Sequence, residues 1–78
     1  MNTVSLSSLR PGMECRLQEL RLYGDIRRRL QDLGLIEGAV ICCAYAAPSG
    51  SPMAIRCKGT LLGLRKTDCD RILVSHNE

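Results

Sequence analysis

The stretch Arg29-Leu30-Gln31-Asp32-Leu33-Gly34-Leu35-Ile36-Glu37-Gly38-Ala39-Val40-Ile41 decides the fold, because the chain changes its periodicity inside it. Upstream, Ile26, Leu30 and Leu33 recur at i, i+4 and i+7 and lay one apolar stripe along a helix. Gly34 stops that helix, since the residue just past a helix end takes a positive φ, which glycine does without strain. Downstream, Ala39 to Ala46 is a strand with small or apolar residues on both faces. Ile41, Cys43 and Tyr45 share one parity, and Val40, Cys42 and Ala44 the other. Leu35-Ile36-Glu37-Gly38 is the tight connection between helix and strand. Leu35 and Ile36 in it either pack under the strands or stand out as a small apolar knob.

Working outward toward the N-terminus, Gly24-Asp25 opens the helix, with Asp25 placed to cap the free amides of the first turn. Glu14 to Leu20 alternates, with Cys15 and Leu17 on one side and Glu14, Arg16 and Gln18 on the other, which makes a half-buried strand. Leu6 to Gly12 reads as a lead-in closed by a Pro-Gly turn. Toward the C-terminus, Pro48-Ser49-Gly50-Ser51-Pro52 is a hairpin loop. Met53 to Lys58 returns as a strand with Ile55 and Cys57 inward, and Gly59 breaks the run. Thr60 to Leu64 is another strand, Arg65 to Asp70 a single helical turn, and Arg71 to Ser75 a closing strand with Ile72 and Val74 on one face. His76-Asn77-Glu78 is a tail. The pattern predicts a mainly β fold: a small barrel of about five strands, with one α-helix after the first strand. Barrel closure would remove most exposed sheet edges.

Composition bounds what such a barrel does. Seventy-eight residues form a single domain, 1–78, which buries only roughly 60% of its unfolded surface. That leaves no room for two lobes around a catalytic cleft. Tyr23 and Tyr45 are the aromatic residues, so neither a stacking platform nor a Pro-peptide groove can be assembled. The net charge of +3 and pI near 8.8 fall short of a dedicated nucleic-acid module and favour an acidic partner surface. Cys15, Cys42, Cys43, Cys57 and Cys69 are odd in number and include no C-x-x-C pair, and Met1 to Leu9 lacks a signal-peptide pattern. These features point to free thiols in a reducing cytoplasm. Ala39 to Pro48 is too short to insert in a membrane.

The quoted stretch resembles the signature of the ferrous iron transport protein A (FeoA) family. Other pieces resemble the family in the same order: Leu6-x-x-Leu9-x-x-Gly12, the loop Ala47 to Pro52, Arg56-Cys57-Lys58-Gly59 with Leu64-Arg65-Lys66, and Arg71-Ile72-Leu73-Val74. Ser51 stands where the family often carries Asp, and Cys69 where a small Ala is common. The resemblance implies an SH3-like barrel that associates with FeoB, the membrane ferrous-iron transporter with a cytoplasmic GTP-binding domain.

The charged and sulfur-bearing residues fit a binding role better than catalysis. The helical twist spreads Arg27, Arg28 and Arg29 apart, and Asp25 and Asp32 are spaced to pair with Arg28. The run reads as a solvated helix face, a docking patch for an acidic protein surface, or a phosphate contact. Cys42 and Cys43 point to opposite faces of one strand and cannot share an ion, while Cys15, Cys43 and Cys57 read as small buried hydrophobes. His76 has no nucleophile at motif spacing, and no phosphate-cradling glycine loop is present. The expectation is therefore no enzyme, no cofactor and no metal site. In its place stands a cytoplasmic accessory protein that contacts the transporter through Arg27, Arg28, Leu35, Ile36, Pro48, Ser49, Gly50, Ser51 and Pro52. A nucleic-acid-binding barrel is the alternative, and weak self-association is a further expectation.

Overall fold

Helix α1 (Gly24–Asp32) ends on the glycine that the sequence marks as its stop. In the computed structural model, which describes residues 2–49 and 51–76, Gly34 has φ +106°. The Leu35 amide donates to the Leu30 carbonyl at 2.9 Å and the Gly34 amide to the Gln31 carbonyl at 3.0 Å. These two bonds make a Schellman motif, in which the residue after the glycine packs on the last inward turn of the helix. Leu35 is fully buried and Leu30 nearly so.

The strands are β1 (Asn2–Ser5), β2 (Glu14–Leu20), β3 (Val40–Ala46), β4 (Met53–Cys57), β5 (Thr60–Leu64) and β6 (Ile72–His76). A 3₁₀ turn, Leu6–Ser8, follows β1, and the short helix α2 (Lys66–Cys69) precedes β6. All pairings are antiparallel, in the order β1-β6-β2-β3-β4-β5. The extra strand is β1, which precedes the expected lead-in Leu6 to Gly12, so the helix follows the second strand. His76, expected in a free tail, ends β6 in register with Asn2. Among the described residues β1 pairs only with β6 and β5 only with β4. The barrel is therefore incompletely closed and keeps two open edges, contrary to the expectation of closure.

Two irregularities re-aim side chains. The register shifts between Leu17 and Glu19, and as a result Cys15, Leu17 and Leu20 are all buried despite their mixed parity. A second shift between Cys43 and Tyr45 turns Tyr45 outward, 54% exposed, although it shares parity with buried Ile41 and Cys43. A bulge does this by inserting one residue opposite none. Between β4 and β5 the turn residues Lys58 and Gly59 both take positive φ, +50° and +78°. That is the type I′ geometry that matches strand twist in a two-residue hairpin.

One aliphatic core results. Leu6, Leu17, Leu35, Ile41, Ile55, Ile72 and Val74 are essentially solvent-free, with Cys43, Cys57 and Cys69 packed among them. Asp25 makes no capping bond; Tyr23 occupies the cap position and Asp25 sits in the first turn, where its charge still suits the helix end. Leu33, expected inward, is 38% exposed because it already belongs to the Schellman turn.

The Schellman turn and the buried thiols each yield an expected outcome. Gly34→Ala should destabilise the fold by ~1–2 kcal/mol through the left-handed backbone alone, and Leu35→Ala by about 2–5 kcal/mol, both read by urea unfolding. Burial pushes the Cys15 thiol from its ordinary 9.0 up to about 12 and Cys69 up to about 11. The unfolded chain loses these protons first as pH rises, so stability is complete below pH 9 and should fall between about pH 9 and about pH 12. A melting-temperature series checks this. At pH 8 an alkylating agent should modify half-buried Cys42 before the four buried thiols, as mass spectrometry of partly labelled protein would reveal.

Candidate functional site: the outer sheet face

Strand alternation sends Val40 and Cys42 of β3, Ala54 and Arg56 of β4 and Leu61 of β5 to the outer face. Register aligns Glu14, Cys42, Arg56 and Leu61 as one row across β2 to β5, with Val40 beside Arg16. Ile36, on the connection between α1 and β3, overhangs one end of this row. Part of this face is an open groove of about 580 Å³, with Ile36, Val40 and Cys42 as its apolar part and Glu14, Glu37, Arg56 and Lys58 as its charged rim. Ile36 is 48% exposed and Val40 40%. Such a surface can hold an apolar side chain of a partner while charges of both signs set its orientation.

The sequence candidates do not assemble into one patch. Leu35 is buried as the plug of the Schellman turn and is removed from the contact set, whereas its neighbour Ile36 stands out as the knob. Arg27 turns back onto its own fold: its guanidinium donates to the Leu20 carbonyl and, at 3.4 Å, to the Leu22 carbonyl, latching α1 to the end of β2. Arg28 faces solvent. Its expected pairs with Asp25 and Asp32 do not form; ion pairs among the described residues join Arg21 to Glu19 at 2.8 Å and Lys66 to Asp70 at 3.3 Å. Pro48, Ser49, Ser51 and Pro52 are exposed, and Gly50 lies outside the described residues. Ser51 ties the tip to α2, its hydroxyl accepting the Lys66 amide at 3.2 Å. The tip and Ile36 flank opposite ends of five-residue β4, roughly 16 Å apart at ~3.3 Å per residue.

Val40, Cys42, Arg56 and Leu61 were missed as site residues. The readable signal was β3 itself, apolar on both faces, since a strand with one face in the core needs no second apolar face. The remaining chemistry is subdued. Desolvation raises the Cys43 thiol as it does Cys15 and Cys69. The Ser7 hydroxyl, 2.5 Å from Asp70, and then Lys66 hold the Asp70 carboxyl low. Among the described residues no three His, Cys, Asp or Glu side chains stand together as a metal set, and no helix is long and apolar enough to cross a membrane.

Known structures share this fold. The FeoA protein of Chlorobium tepidum is 33% identical with a TM-score of 0.89, over 96% of this chain and 71% of that one. The iron(II) transport protein A of Clostridium thermocellum is 30% identical with a TM-score of 0.86, over 94% of this chain and 45% of that one. A zinc complex of Stenotrophomonas maltophilia FeoA, described as an SH3 domain protein, is 26% identical with a TM-score of 0.76, over 92% of this chain and 89% of that one. No curated protein matches the sequence. The FeoA domain model matches residues 4–76; with its SH3-like architecture, the chain belongs to the FeoA family, which is associated with ferrous iron transport.

Proposed function

We propose that this chain is a cytoplasmic accessory protein that catalyses nothing, holds no cofactor, and acts by docking on the cytoplasmic part of the ferrous-iron transporter FeoB. The observation that carries the reading is the open groove on the outer sheet face, with Ile36 and Val40 exposed above an otherwise well-buried core. Apolar groups left in water at one place, and rimmed by charge, mark a surface that is completed by another protein. Ile36 supplies the anchor of this contact, Arg28 on the adjoining helix supplies charge, and the loop 48–52 forms a second, separate contact at the far end of β4.

The test is recovery of the transporter from bacterial membranes by tagged protein, with and without crosslinking. Wild type is expected to capture the polytopic GTP-binding transporter. The double variant Ile36→Asp, Arg28→Glu should lose about tenfold or more of that capture, since exposed anchors carry most of an interface, while melting at the wild-type temperature. Recovery of nucleic acid, or of no transporter under crosslinking, would overturn the reading.

A further inference from the structure

Strand β5, Thr60-Leu61-Leu62-Gly63-Leu64, is an open sheet edge without the usual protections. It carries no charge, no proline and no bulge, and its pairing with β4 is regular from Cys57↔Thr60 to Met53↔Leu64. Protein edges are normally blunted by one of those devices. The two-residue turn at Lys58-Gly59 makes Cys57 and Thr60 the closing hydrogen-bonded pair, and alternation then directs the backbone groups of Thr60, Leu62 and Leu64 toward β4. The amides and carbonyls of Leu61 and Gly63 consequently face outward. Both residues are exposed, and nothing lies within 4 Å of a side-chain position built on Gly63. Leu61 offers apolar surface on the outer face, and half-buried Leu62 on the inner.

The flanks are basic. Arg56 lies beside Leu61 in register, Lys58 precedes the strand and Arg65 follows it, and none of the three has an acidic partner among the described residues. A second copy of the chain is a poor occupant. Antiparallel self-pairing that matches Leu61 to Gly63 brings the Lys58 end of each copy against the Arg65 end of the other. We infer that β5 is a docking edge for an extended segment of a different protein, apolar in its middle and acidic at its ends, added as a further antiparallel strand. This holds whether or not the transporter supplies that segment.

Two synthetic peptides test it: alternating valine and threonine ended by glutamates, and the same peptide ended by lysines. Hydrogen exchange of the intact protein, followed by NMR, reads the site. The glutamate-ended peptide is expected to slow exchange at the Leu61 and Gly63 amides and to bind about tenfold tighter than its lysine-ended counterpart. Gly63→Pro removes an outward donor and no bond to β4, so it should weaken binding about tenfold, the weight of a strand hydrogen bond and its geometry. The charge reversal Lys58→Glu, Arg65→Glu, at two exposed positions, should transfer the preference to the lysine-ended peptide. Equal binding of both peptides, protection at other amides, or an unswitched preference in the reversed variant would overturn the inference. Protection of Leu61 and Gly63 that grows with protein concentration in the absence of peptide would assign the edge to a second copy and overturn it as well.

Discussion

The positive φ at Gly34 is the constraint on which the rest of the molecule depends. It reverses the chain out of α1 in one residue and drives Leu35 back beneath the helix against Leu30. The same turn is held to the far side of the sheet. The Cys57 thiol lies 3.7 Å from the Gly34 carbonyl, and a side chain at Gly34 would stand 2.9 Å from the Lys58 Cδ. The helix-to-strand connection is thus docked on the β4–β5 turn, where Gly34 leaves room for the Lys58 side chain. Ile36 can project over the outer face only because its neighbour is anchored inside. The exposed knob and the buried plug are adjacent products of one helix stop.

A chain this short has little core to draw on, and it fills that core with aliphatic groups and thiols. Cys15, Cys43, Cys57 and Cys69 are buried as small packing groups, and that burial raises the thiol pKa values of Cys15, Cys43 and Cys69. The surface ion pairs at Arg21–Glu19 and Lys66–Asp70 are exposed and add little to stability. Position comes from packing, and the charged side chains are left available to face outward.

Much of this was legible in the residues. The helix, its stop, the hairpin loop, β2, β5 and the short helical turn all follow from periodicity and from glycine and proline placement. Strand β1 was not legible, because Asn2-Thr3-Val4-Ser5 carries one apolar residue and is a strand only through its pairing with β6. The bulges at Gln18 and Ala44 leave no local mark, so the outward turn of Tyr45 and the inward turn of Leu20 were hidden. Leu35 could have been separated from Ile36 by carrying the glycine stop through to its packing consequence. The outer groove was half visible in the apolar alternate positions of β3. Arg56 on its rim, and Leu61 next to it in the outer row, are placed by cross-strand register and by no property of those residues themselves.

The absence of aromatic rings from the interior has a consequence for observing this molecule. With no tryptophan or phenylalanine, and with Tyr23 and Tyr45 respectively 77% and 54% exposed, the folded core has no chromophore of its own. Near-ultraviolet dichroism and intrinsic emission will therefore change little when the chain unfolds. The same property makes Tyr45 useful. It sits on the outer sheet face, so a change in its emission intensity reports events at the surface with almost no background from the interior.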